Sequence, residues 1–191
     1  GLPHFLVGDE SSILGGALKM AELKNPIPGT NSEAFRILYY PPFLPWALLI
    51  ILAPFVGITS LGMPLTEIRE FFILHPETLL LIGRIFVALI GTASVYVLYR
   101  IVRRMFGERE GILAAILLAL SFFHVSLSHF LRHWVPAALF ILLAFYFAWQ
   151  ILEKKNPHAY LWGALTVGLG SRRKILTPIS GVHSPLGLAL G

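Results

Sequence analysis

Three small groups of ionisable residues stand out in a chain that otherwise avoids charge. They are Asp9–Glu10, Arg84 inside a long apolar run, and His129, Arg132 and His133 within HFLRHW. Two adjacent carboxylates repel each other, which favours proton uptake by one of them. A charge at membrane depth costs on the order of 2.5–3.5 kcal/mol on insertion scales unless it is paired or lines a wet cavity. Histidines four residues apart share one face of a helix, a spacing that metal ligands use. Each group also has a plainer reading. Asp9 suits the N-cap of a helix, with Glu10 favourable in its first turn. Arg84 can snorkel or pair internally, and Arg132 suits an interfacial anchor. No Glu stands between His129 and His133, and no third ligand accompanies them.

The elements that must position these groups are written in the composition. The 191 residues are 56% hydrophobic and 13% charged, with a mean hydropathy of +0.75. Charge is about half the ~25% usual in soluble domains, and the apolar residues lie in long runs. That pattern points to a polytopic membrane protein of the all-α class. The net charge of +5 does not indicate nucleic acid. The basic residues sit in short clusters between apolar runs: Arg100, Arg103, Arg104 and Arg109, then Lys154 and Lys155, then Arg172, Arg173 and Lys174. Such clusters set membrane topology. With no cysteine, disulfides and thiolate metal sites are excluded.

Helical spacing in DESSILGGALKMAEL predicts a short surface helix over 9–23, capped at Asp9 or Ser11. NPIPGTNSEAF (25–35) is a loop by its turn formers. FLPWALLIILAPFVGITSLG (43–62) is apolar enough to span, but Pro45, Pro54 and Gly57 interrupt it. Spanning helices are predicted over 78–104, 111–130 and 135–152, the last with Pro136 in its first turn, and a fourth begins at 159–170. Residues 171–191 show no clear period. The first residue is Gly and no leader pattern precedes the acidic pair, so the chain reads as a piece of something longer, with a preceding membrane helix expected.

If 78–104, 111–130 and 135–152 each cross once, the Arg100–Arg109 and Lys154–Lys155 turns share one side, cytoplasmic by their charge. HFLRHW then faces outward. Full crossing by 43–62 would put Asp9 and Glu10 in the cytoplasm; a kinked, re-entrant or interfacial element would leave 1–77 outside, which the prolines favour. Tyr39, Tyr40 and Trp46 suit the interfacial aromatic belt.

The order of GDESSILGGALKMAEL, YYPPFLPW, LIGRIFVALIGTASVYVLYRIVRRMFG, GILAAILLALSFFHVSLSHF and WGALTVGLG resembles the front of a C-type membrane glycosyltransferase. The group is the protein O-mannosyltransferase and aminoarabinose transferase superfamily. The resemblance covers most of residues 5–170. It implies a polyprenyl-phosphate sugar donor, a protein, lipid or glycan acceptor, and transfer on the outer face of the plasma membrane. It also implies a domain plan: 1–77 as outer loop with juxtamembrane helices, 78–170 as transmembrane helices, and 171–191 as a divergent tail. On this resemblance Asp9 is the catalytic base, because an acceptor hydroxyl is a poor nucleophile until its proton is taken. Glu10 orients the acceptor or tunes the pair. Arg84 and Arg132, helped by His129 and His133, stabilise the departing lipid phosphate, with Tyr40 near the donor. Where many relatives carry an Asp after the second outward turn, this chain has Trp134. That argues against a metal held between the outer loops, and a divalent metal ion is the one cofactor left open. Where some relatives carry a Lys before the juxtamembrane Pro, this chain has Tyr40, and Lys174 follows GLG only after extra basic residues.

The competing class is a transporter or scaffold subunit in which Asp9–Glu10 only caps a helix and Arg84 pairs internally. Transporters carry their ionisable groups in broken spans of repeated halves. No internal repeat is present, and the acidic pair lies in a loop, which favours the enzyme.

Overall fold

The computed structural model describes residues 10–25, 43–59, 76–154 and 157–170. Among these, every regular element is helical: α1 (Glu10–Glu22), α2 (Phe43–Thr59), α3 (Pro76–Met105), α4 (Glu108–Ala119), α5 (Phe122–Ser128), α6 (Trp134–Lys154) and α7 (Pro157–Gly170). The all-α expectation holds. Pro76 and Pro157 open their helices, where a missing N–H costs nothing. The expected tail at 171–191 lies outside the described residues.

Among the described residues two helices, α3 and α6, are long and apolar enough to cross a membrane, and α4 with α5 makes a third candidate if counted together. The expected start of a fourth span at 159–170 falls in α7, beyond which the chain lies outside the described residues. The predicted helix over 111–130 is two helices bent by 60°. The break is visible in the backbone. Leu120 closes α4 at φ −91°, and Ser121 turns extended at ψ 115°. No proline or glycine marks it. Instead α5 is drawn onto α3, where the Ser128 hydroxyl donates to the His124 carbonyl at 2.7 Å and His124 Nε2 lies 3.2 Å from the Gly91 carbonyl. A Cβ at Gly91 would come within 2.5 Å of Ser128 Oγ, so only glycine permits this approach.

At the other end of α3, Gly107 turns the chain at φ +128°, a conformation that favours glycine. This tight turn returns α4 alongside α3. The bent pair climbs back, and α6 then descends beside α3, running the same way. Two contacts fix that sense. Arg84 near the start of α3 is tied, through Glu10, to Leu131 just before α6. Arg104 at the end of α3 meets Glu153 at the end of α6.

The helix expected at 9–23 forms, with one face buried and Ser11, Leu18 and Ala21 exposed. Ile13, Leu14, Ala17 and Met20 make one buried face of α1, and the first three join Leu44, Leu48 and Leu52 of α2 and Leu79, Leu80, Val87 and Ile90 of α3 in the core. Ser11 lies inside the helix, and Asp9, the other expected cap, is outside the described residues. α2 has 17 residues and rises about 25 Å at 1.5 Å per residue. That is short of the ~30 Å hydrocarbon core. It packs against α1 rather than standing alone as a span.

Candidate functional site

Glu10 opens α1 and is fully buried. A lone carboxylate could not remain ionised there, and Glu10 has partners on α3 and in the turn before α6. Arg84 Nε donates to Glu10 Oε1 at 3.0 Å and Arg84 Nη2 to Oε2 at 2.7 Å, the two-pronged geometry that suits guanidinium and carboxylate. The Leu131 backbone N–H donates to Oε1 at 2.8 Å. One side chain therefore ties together the start of α1, the first third of α3 and the turn between α5 and α6. Three hydrogen bonds, two from a cation, answer the desolvation of the pair.

The turn so held is HFLRHW. The Arg132 N–H donates to the Phe130 carbonyl at 2.8 Å, closing a tight turn that carries Arg132 next to the clamp. Arg132 Nε is buried and has no hydrogen-bond partner among the described residues. His133 stacks on Trp134 with ring centres 4.9 Å apart, and it borders a small niche with Phe43, Leu44, Pro136 and Phe140. His129 is exposed at the end of α5, with Nδ1 at 2.7 Å from the Val125 carbonyl. Among the described residues no three His, Asp or Glu side chains gather as a metal cluster.

The structure thus brings Glu10, Arg84 and the Arg132–His133 turn together from segments far apart in sequence. Asp9 and Tyr40 lie outside the described residues. Sequence reasoning assigned Arg84 to a lipid phosphate and Glu10 to an acceptor, and it missed that each holds the other. It also missed Leu131, whose contribution is a backbone N–H and leaves no trace in residue type. The signal for the pair was present, since a buried cation requires a counter-charge. In the protein Arg84 is paired internally with Glu10.

Residues 74–182, more than half of the chain, match the model of a protein family described as dolichyl-phosphate-mannose-protein mannosyltransferase. The match takes in Arg84, His129, Arg132 and His133 and begins after α1 and α2. No curated protein and no solved structure matches the chain.

Proposed function

Because this chain belongs to the dolichyl-phosphate-mannose-protein mannosyltransferase family, we propose that it transfers a sugar from a polyprenyl-phosphate donor to a hydroxyl acceptor. It is an integral membrane protein of a glycosyltransferase family. The proposed site faces outward from the plasma membrane, with residues 1–77 on that side and 78–170 forming the membrane helices. Mannose on a polyprenyl phosphate is the donor the family's description suggests.

The observation that carries the reading is the buried clamp of Glu10 on Arg84 and Leu131. Asp9 is one peptide unit before Glu10, so covalent continuity keeps its Cα about 3.8 Å from that of the clamped residue. In the proposed reaction the Asp9 carboxylate takes the proton of the acceptor hydroxyl as its oxygen attacks the anomeric carbon. The bond from that carbon to the phosphate oxygen breaks, and the polyprenyl phosphate leaves with the bonding pair. The charge developing on the phosphate needs a cation that is not already spent. Arg84 is bound to Glu10, so the role falls to Arg132, whose Nε is open among the described residues, with His133 and His129 on the same turn. Glu10 and Arg84 act as positioning residues.

Asp9→Asn in the full-length protein is expected to lower mannose transfer from polyprenyl-phosphate mannose to a serine-containing peptide by roughly 10²–10⁴-fold, the usual worth of a general base. The amount of protein in the membrane should not change. Wild-type turnover in Asp9→Asn would remove the base from the mechanism.

A further inference from the structure

A second polar centre lies at the far end of α3 and takes no part in the chemistry proposed above. Arg100, Arg103 and Arg104 of α3 and Tyr146 of α6 line an open cavity of about 370 Å³. Arg84 and Arg100 are separated by roughly 24 Å along the helix at 1.5 Å per residue. The cavity therefore sits close to one hydrocarbon thickness, about 30 Å, from the clamp, at the level of the opposite headgroups.

Charge alone would set topology, but here the guanidiniums are also oriented. Arg100 Nη1 donates to the Tyr96 hydroxyl at 3.1 Å, and Arg103 Nη1 donates to the Tyr99 hydroxyl at 3.0 Å. The two cations stand 5.9 and 5.7 Å from the centres of the same rings. These partners are neutral, so they hold the arginines without cancelling them. Only Arg104 has a close carboxylate among the described residues, Glu153 at 2.7 Å, and that pair joins α3 to α6. Arg103 is 3.8 Å from Glu108, with both side chains more than half exposed, a contact of little weight. Three arginines facing one tightly held carboxylate leave the cavity electropositive.

The surroundings favour a lipid over a soluble anion. Phe106 and Leu152 are 68% and 77% exposed beside the basic residues, apolar surface suited to an acyl chain. Trp149 lies on the stripe of α6 that carries Tyr146 and Glu153. Its indole N–H is buried with no hydrogen-bond partner among the described residues. Arginine forks match phosphate oxygens, and basic pockets between membrane helices take acidic headgroups.

We propose that this cavity binds the phosphate headgroup of an acidic membrane phospholipid between α3 and α6, at the membrane face opposite the Glu10–Arg84 clamp. The proposal is independent of the sugar-transfer reading. Its test is native mass spectrometry of the full-length protein released from nanodiscs of phosphatidylcholine doped with phosphatidylglycerol. The wild type should retain phosphatidylglycerol selectively. Arg100→Gln/Arg103→Gln should weaken retention on the order of 30-fold, the weight of two charges at a membrane surface. Arg100→Lys/Arg103→Lys preserves charge and folding but removes the forks, and should weaken it several-fold. Arg109→Gln, exposed on α4 and outside the cavity, should leave it intact. Full retention in either double variant, or an equal loss in Arg109→Gln, would overturn the site. Displacement of the lipid by an equal concentration of inorganic phosphate would overturn the lipid as its occupant.

Discussion

Among the described residues, two close ion pairs sit at opposite ends of α3, and their lengths are identical. Arg84–Glu10 and Arg104–Glu153 both close to 2.7 Å. Their surroundings differ. The first pair has side-chain exposures of 9% and 0%, the second of 27% and 34%. At the sealed end a carboxylate must satisfy its oxygens within the protein, so Glu10 gathers Arg84 and the Leu131 N–H and fixes three segments. At the wet end water serves, so one carboxylate suffices and phenols hold the remaining cations in place. Burial decides which pair fastens and which leaves its neighbours available to a ligand. Distance does not.

The most decisive way to break this contrast is to ask whether the two ends are on two sides. The chain has no cysteine, so exposed Ser11→Cys and Glu110→Cys report each end separately. An impermeant maleimide applied to sealed cells should label Ser11→Cys and leave Glu110→Cys unlabelled until permeabilisation. Labelling of both from one side would collapse the two ends onto one face.

Next in size is the clamp itself. Glu10→Gln strands a buried guanidinium and should lower the unfolding free energy in mixed micelles by about 3–5 kcal/mol. Glu10→Met/Arg84→Met replaces both charged groups by apolar ones and should recover most of that loss, because a buried pair replaced in this way is often neutral. A loss under ~1 kcal/mol in the single variant would show that the sealed end is as wet as the other. The smallest effect belongs to Arg104 and Glu153. A double-mutant cycle of Arg104→Gln and Glu153→Gln should give a coupling of about 0.2–1 kcal/mol, diminishing as salt is raised. Coupling comparable to the clamp would erase the distinction.

What could be read from the sequence follows the same division between local and distant causes. Helices α3 and α6 were legible because one long apolar run, punctuated by Pro76 or Pro136, is a sufficient local cause. The bend at Leu120–Ser121 was not, because its cause is the approach of Ser128 to Gly91 on another helix. What the inner face of α1 packs against was hidden for a related reason. Its apolar stripe, Ile13, Leu14 and Ala17, is ordinary for an amphipathic helix, and only α2 and α3 make it core. The ionisable residues near the candidate site were each visible as types. Their grouping was not, since Glu10 and Arg84 are 74 residues apart and Leu131 contributes main chain.

The clamp also has a bearing on how the protein is made. Synthesis proceeds from the N-terminus, so Glu10 already exists when Arg84 of α3 is made. A counter-ion already made can offset the cost of placing that guanidinium at membrane depth. The Leu131 amide emerges last and can only close an arrangement that the first two have begun. Order of appearance, as much as final energy, makes the early acid the chaperone of the later base.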